Sequence, residues 1–280
     1  MPQMPTLVDM LKAGVHFGHQ KSRWHPKMEQ YLFGSRNGVH VIDLDKTQEE
    51  LEKALTYVKD LAAKGKVILF VGTKRQARTL VQAAAESCGM PFLTERWIGG
   101  LLTNFDEFRR RLKKYKTLKD MAATGEIEKY TKKEQSTFKK QIAKMDKYLA
   151  GLVTVDKIPD ALYITDVRVE KTAVTEARRV HVPIVAVCDS NVDPTKVQYP
   201  IPSNDDAVKA IKLIADLIAA AVNEGKVEFE KNKAAMKNTK KDEVAGKPVF
   251  AKAVMTKEAV PEKDKPVKKE RRSIKKQEAV

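Results

Sequence analysis

Short apolar runs alternate with helix-like patterns along most of the chain. Five runs predict strands: Val39–Leu44, Val67–Val71, Pro91–Thr94, Ala161–Thr165 and Ile184–Val187. Most of them are apolar throughout, as expected for parallel strands that are covered on both faces. Right-handed crossovers through the intervening helices then bring the strands into one sheet. The pattern therefore predicts an α/β domain, a parallel five-stranded sheet between helical layers, formed by residues 1–103 and 152–225 together.

A different pattern fills residues 104–151, which form an insertion. Apolar side chains recur at helical spacing in two stripes, Phe105, Phe108, Leu112, Tyr115 and Leu118, then Phe138, Ile142, Met145 and Leu149, with Gly125 between them. Two helices of about 17–20 residues would each extend about 25–30 Å. Because each stripe is narrow and its surroundings are charged, we expect a protruding antiparallel coiled-coil hairpin. The alternative is a two-helix subdomain that lies on the sheet domain.

Residues 226–280 form a third region of distinct composition. They contain two aromatic side chains, Phe229 and Phe250, and are dominated by Lys, Glu and Ala. Such a segment buries too little apolar surface to offset the entropy lost on ordering, so we expect a basic, disordered C-terminal tail. For its early part, to about Lys241, the alternative is a continuation of the preceding helix.

The positive charge of the chain is unevenly distributed. The formal net charge is +16, yet residues 1–103 and 152–225 together contribute only +1. Residues 104–151 contribute +7 and residues 226–280 contribute +8. Cations concentrated outside a neutral core favour a polyanionic partner such as a nucleic acid, whereas the alternative is a general contribution to solubility.

The first candidate RNA contacts lie near the N-terminus. Lys21, Arg23 and Lys27 are interleaved with Phe17 and Trp24. Aromatic faces beside cations suit the stacking and phosphate contacts of irregular RNA. The alternative is that the two aromatic side chains fill the core while the cations are solvated. Arg36 extends the predicted basic set.

Three further groups of cations are predicted to contact phosphate. Lys74 and Arg75 follow a predicted strand in a segment that lacks the second glycine of a P-loop, and a helix start there would favour an anion. Arg96 precedes the paired Gly99 and Gly100 at the joint with the insertion. The predicted hairpin adds Arg109, Arg110, Arg111, Lys113 and Lys114.

Enzymatic and metal-binding functions have weaker support. Asp166, Asp189, Asn191 and Asp193 follow strands, where open parallel sheets bind ligands, but no nucleophile or acid–base set accompanies them. A nucleotide or sugar-phosphate enzyme and a basic protein-interaction module therefore remain as alternatives. His16 and His19 with Asp9 or Asp43 lack the familiar zinc spacing. We expect no catalytic residue, cofactor, metal ion or small-molecule substrate.

Cysteine content and hydropathy exclude further classes of protein. Cys88 and Cys188 are the two cysteines, which excludes a disulfide framework and a four-thiolate zinc site. Apolar runs fall short of the roughly 18 residues that a membrane span requires. With no secretory signal apparent at the N-terminus, we expect a soluble cytoplasmic protein without a membrane partner.

Several segments together resemble one family, the bacterial-type ribosomal protein S2 of the small subunit. They are AGVHFGHQ (13–20), RWHPKM (23–28), IDLDKT (42–47), FVGTKRQA (70–77), RWIGGLLTNF (96–105), PDALYITD (159–166), DSNVDP (189–194) and YPIPSNDDAVKAI (199–211). The resemblance covers about residues 5–224 and does not extend to the tail.

The resemblance implies a flavodoxin-like sheet with a protruding coiled coil and no enzymatic activity. It implies binding to small-subunit rRNA and to neighbouring ribosomal proteins, with a part in subunit assembly and translation. It also implies docking of the large mRNA-binding protein of that subunit. The strand-end aspartates would then be structural or interfacial.

Overall fold

A computed structural model describes residues 3–245 of the chain, and residues 3–237 form one compact unit. The strands are β1 (Phe17–Gln20), β2 (Leu32–Arg36), β3 (Val39–Ile42), β4 (Ile68–Val71), β5 (Phe92–Leu93), β6 (Ala161–Ile164), β7 (Ile184–Cys188) and β8 (Tyr199–Pro202). The α-helices are α1 (Leu7–Ala13), α2 (Leu44–Ala63), α3 (Arg78–Ser87), α4 (Phe105–Ala123), α5 (Lys132–Leu149), α6 (Lys171–Arg179) and α7 (Val208–Ala245).

The main sheet has five parallel strands in the order β5-β4-β6-β7-β8. Numbered within this sheet alone, the order is 2-1-3-4-5, which is the flavodoxin-like arrangement. Strands β4, β6 and β7 are buried along their whole length. This agrees with the continuous apolar runs from which the parallel sheet was predicted.

The assignment of one of the five predicted strands to that sheet is wrong. The Val39–Leu44 run forms β3, which pairs antiparallel with β1 and β2 in a separate three-stranded sheet. Asn37 and Gly38, both with positive φ, make the tight turn between β2 and β3, and such a turn favours an antiparallel hairpin. The fifth parallel strand is β8, an edge strand that carries Pro200 and Pro202.

Each face of the main sheet contributes to its own hydrophobic core. Phe70 and Tyr163 face α2, α3 and α7. Their two rings also make an edge-on aromatic contact with each other. Leu69 and Leu162 face the opposite layer, which includes α6 and the start of α4. Full burial of one such large apolar side chain contributes about 1.5–3 kcal/mol, so the two cores hold the helices against the sheet.

The insertion supplies two helices of the expected length, 19 residues in α4 and 18 in α5. Phe108, Leu112 and Tyr115 of α4 are buried in the core that contains Leu69 and Leu162, here called the second core. Leu149 of α5 joins them. The Tyr115 hydroxyl donates a hydrogen bond to Asp146 of α5. The two helices are therefore in contact, and the base of the pair is rooted in the sheet domain.

The expectation that disorder begins at Lys226 is wrong for the described part of the tail. Helix α7 continues to Ala245, which confirms the alternative that the last helix extends to about Lys241. The ring of Phe229 lies against Gly65, and the Lys226 ammonium donates to the Gly89 carbonyl at 3.3 Å. These contacts hold the start of the tail on the core. The rest of the tail, residues 246–280, lies outside the described residues.

Candidate nucleic-acid interface

The N-terminal basic segment, residues 16–27, is held to the sheet domain by backbone contacts. The His19 amide donates to the Ser190 hydroxyl and the His25 amide to the Ser190 carbonyl, each at 2.8 Å. Lys21 and Arg23 lie between these anchors in a short 3-10 turn with exposed side chains. Their charged groups are consequently available on a fixed backbone.

The aromatic side chains of this segment do not fill the core. Phe17 is 53% exposed, and Trp24 is half-buried beside the His40 ring, with ring centroids 5.2 Å apart. The alternative interpretation, that they fill the core, is wrong for Phe17. Arg36 is exposed at the end of β2.

Lys27 has a defined ion pair but remains accessible. Its ammonium contacts the Asp193 carboxylate at 3.1 Å and the Thr195 hydroxyl at 3.0 Å, and its side chain is half-exposed. Desolvation alone would raise the pKa of Asp193, but the hydrogen bonds from Thr195 and Lys27 outweigh it and lower the pKa to about 2. Lys27 therefore joins the N-terminal segment to the loop after β7.

Lys74 differs from the other predicted contacts. Helix α3 begins at Arg78, so Lys74 does not lie in its first turn as the prediction assumed. The Lys74 ammonium contacts Asp166 at 3.2 Å, Asp205 at 2.8 Å and Asp206 at 2.7 Å. Its side chain is 17% exposed, whereas the neighbouring Arg75 is exposed. Its charge is balanced inside the protein, which removes the reason for assigning it to phosphate.

These carboxylates form an ionic cluster at the carboxyl ends of the parallel strands. Desolvation, reinforced by Asp166 and Asp189, raises the pKa of Asp205 to about 7. The Asp189 carboxylate, 3.0 Å from Nδ1, is the main cause that raises the pKa of His19. The cluster thus ties the N-terminal segment to the strand ends.

Part of this cluster has donors of the kind that bind metal ions. Ligand atoms of His19, Asp205 and Asp206 lie within 4.8 Å of one another. This set differs from the His16, His19, Asp9 and Asp43 combination considered from the sequence. The Lys74 ammonium contacts both aspartates, so the protein itself supplies a cation to them.

A buried glutamate that sequence reasoning missed fixes the joint around Arg96. Glu176 of α6 accepts hydrogen bonds from the Trp97 indole (3.0 Å), from three backbone amides of residues 100–103 and from the Thr103 hydroxyl. Desolvation alone would raise the pKa of Glu176, but these bonds outweigh it and lower the pKa. The available sequence signal was a carboxylate among the apolar positions of α6. Arg96 itself is exposed beside this rigid loop.

Helix α4 carries the largest group of predicted contacts. Arg109, Arg110, Arg111, Lys113 and Lys114 are all exposed. Arg110 and Arg111 form surface ion pairs with Glu107 at 3.7 and 3.3 Å. Within the described residues, the charged groups of the other three have no carboxylate within 4 Å.

The fold and these surfaces together define a basic α/β protein. Its strand-end carboxylates are engaged internally, whereas the cations of the N-terminal segment and of α4 named above are exposed, which suits a polyanion-binding protein. In the described part of the chain, every helix is too short or too polar to cross a membrane.

Comparisons with known proteins identify the family. The profile of the family described as "Ribosomal protein S2" matches residues 10–225. The chain is 49% identical over 221 residues to the small ribosomal subunit protein uS2 of Coprothermobacter proteolyticus, covering 79% of this chain and 82% of that protein. It is 48% identical over 221 residues to the uS2 protein of Endomicrobium trichonymphae, covering 79% and 91%. The chain belongs to the ribosomal protein S2 family.

Proposed function

We propose that this chain, a structural protein of the small ribosomal subunit, binds small-subunit rRNA through its exposed cations. Membership of the ribosomal protein S2 family carries the first part and assigns the chain no enzymatic role. The proposed contacts are Lys21, Arg23, Trp24, Lys27, Arg36, Arg75, Arg96, Arg109, Arg110, Arg111, Lys113 and Lys114. Lys74 is excluded because three carboxylates already surround its ammonium.

Unpaired cations on helices provide affinity for phosphate more than sequence specificity. Phosphate contacts position a protein on RNA, while the shape of the RNA supplies most of the specificity. Arg96 and the α4 cations follow one another along a loop and helix that Glu176 and the second core hold rigid. This rigidity supports a role in ordering rRNA during subunit assembly.

We also propose that α4 and α5 form a protruding antiparallel coiled coil. Tyr115, in the middle of α4, and Asp146 of α5 link the two helices, and Tyr130 packs edge-on against Phe138 near the turn. The positions between the apolar stripes are largely exposed. A projecting pair of this kind would carry the cations of α4 to RNA away from the sheet domain.

An exposed apolar surface supports docking of a neighbouring ribosomal protein. Leu7, Val8 and Leu11 of α1 and Phe33 of β2 line one shallow depression, and Phe33 is 82% exposed. Exposed apolar groups clustered in this way mark protein interfaces more often than isolated ones do. We propose that this surface binds a neighbouring small-subunit protein, namely the large mRNA-binding one.

The docking proposal is tested by replacing Phe33 and Leu11 with Ser in the full chain. Reconstituted small subunits carrying this variant should retain the chain itself but bind at least tenfold less of the large mRNA-binding protein. The control replaces the exposed Val227, on the distant part of α7, with Ser. Equal recovery of that protein with both variants would refute the assignment of this surface.

The RNA-binding proposal is tested on α4. Replacing Arg109, Arg110 and Arg111 with Glu should weaken binding to deproteinised small-subunit rRNA and lower the dependence of log K on log salt by about 2, since each phosphate contact contributes about 0.7–0.9. The control replaces Lys64, Lys209 and Lys212, exposed cations outside the proposed set, with Glu. Identical affinities and salt slopes for the two variants would exclude α4 as a phosphate contact.

A further inference from the structure

A cavity of about 330 Å³ lies outside the set of proposed contacts, between α6 and the loop that follows β7. Three buried valines, Val167, Val174 and Val192, form its apolar lining. Its volume falls at the lower end of the range for small-ligand pockets, about 300–1,000 Å³. The cavity is large enough for a planar heterocycle and its wall is suited to contact with one.

The rim of this cavity is strongly cationic. Arg168, Lys171, Arg178 and Lys196 line it with exposed side chains, against a single carboxylate, Asp193. Lys196 is within 3.7 Å of that carboxylate. For the other three cations, no carboxylate of residues 3–233 lies within 4 Å. The rim therefore carries three unpaired cations and one paired cation around an apolar interior.

We infer that the cavity receives one unstacked nucleotide of the bound rRNA. The base lies against the valine lining, and Arg168, Lys171 and Arg178 bind the adjacent phosphates. Single-stranded and bulged RNA offers splayed bases of this kind, and proteins bind them by stacking on side chains, Arg guanidinium planes included, and by hydrogen bonds to the base edges. The inference rests on the proposed function, because it names the part of the RNA that this side of the protein binds.

The position of the cavity supports RNA over an acidic peptide. His25 of the N-terminal basic segment lines it, and Lys27 contacts Asp193 on the same loop. The cavity is thus continuous with the cations assigned to rRNA. An acidic peptide would satisfy the rim but would have little use for an apolar interior.

The test separates occupancy of the cavity from general attraction by charge. Thr175 of α6 is exposed and lines the cavity, so Thr175→Trp fills it without changing any charge. We expect Thr175→Trp to bind deproteinised small-subunit rRNA about tenfold more weakly than the Thr175→Ser control, the loss of about one base contact. Thermal unfolding of both variants shows whether the fold is retained.

A second variant keeps the test decisive if the tryptophan perturbs folding. Arg168→Gln with Arg178→Gln should lower the salt dependence of log K by about 1.4, the value for two single-strand phosphate contacts. The matched control is Lys209→Gln with Lys212→Gln, which removes the same charge from α7. In addition, 4-thiouridine-substituted rRNA should crosslink to residues 165–196 of the unmodified chain and less to the Thr175→Trp variant.

The outcomes distinguish the two levels of proposal. If the unmodified chain binds rRNA but both cavity variants match their controls and crosslinks avoid residues 165–196, the cavity inference fails and the proposed function stands. If the unmodified chain binds no rRNA, the RNA-binding function itself fails. Binding of a fluorescent polyglutamate peptide at the cavity, without crosslinking of rRNA to residues 165–196, would favour a peptide and overturn the inference.

Discussion

The carboxyl ends of the parallel strands and the surface of α4 both carry many charges but use them in opposite ways. At the strand ends, Lys74 lies among Asp166, Asp205 and Asp206 and is largely withdrawn from solvent. On α4, Lys113 is exposed, and within the described residues no carboxylate lies within 4 Å of it. The first lysine holds the fold together, whereas the second is free to hold a partner.

The difference shows that the number of cations in a segment is a poor guide to what they bind. A charge leaves water only where the fold supplies opposite charges or hydrogen bonds for it. The end of β6 and the segment before α7 converge on Lys74, so that lysine acquires internal partners. The exposed face of a single helix cannot supply such partners for a cation, because the carboxylates within reach at helical spacing are few and solvated.

Replacement of Lys74 by Met should give the largest effect in this comparison. It leaves buried carboxylates without their cation, and we expect a loss of about 3 kcal/mol in the free energy of unfolding near pH 8. The loss should shrink toward pH 5, because protonation of the carboxylates relieves their repulsion. Urea denaturation of the full chain at the two pH values measures both quantities.

The control for this experiment is Lys113→Met, the same substitution on α4. We expect a change within about 0.5 kcal/mol at either pH, as for most surface positions. Equal losses for the two variants would mean that the ionic cluster at the strand ends contributes nothing special to stability.

Most of the fold followed from the apolar pattern, and its errors have identifiable causes. Strands β4, β6 and β7 were predicted because burial on both faces requires continuous apolar runs. Strand β8 was missed because its two prolines argue against a strand, although an edge position tolerates them. The Asn37-Gly38 turn was the overlooked sign that β3 belongs to an antiparallel hairpin.

The candidate site was less predictable than the fold. The exposure of the α4 cations followed from the narrow apolar stripe of that helix. The partners of Lys74 and Glu176 lie 73–132 positions away in the sequence, on loops whose path depends on the whole sheet. The cationic cavity next to α6 likewise joins residues from separate segments. Local patterns carry no information on such contacts.

The pH dependence of stability tests the ionic cluster from its acidic side. Burial raises the pKa of Asp205 from 3.8 to about 7, so between these values the folded chain holds a proton that the unfolded chain releases. Stability contributed by this group is therefore present at low pH and falls as the pH rises toward 7, by up to about 1.4 kcal/mol per pH unit. Asp205→Asn should flatten the curve over this window, measured by urea denaturation.

Asp206→Asn is the matched control, because Asp206 contacts the same Lys74 ammonium at 2.7 Å but has an exposed side chain. We expect this variant to keep the slope of the unmodified chain between pH 4 and 7. His19, whose pKa is also raised, adds a fall in stability as the pH rises above 6.5 and is present in both variants. An unchanged slope in Asp205→Asn would show that Asp205 is ionised throughout, with Lys74 compensating its burial fully.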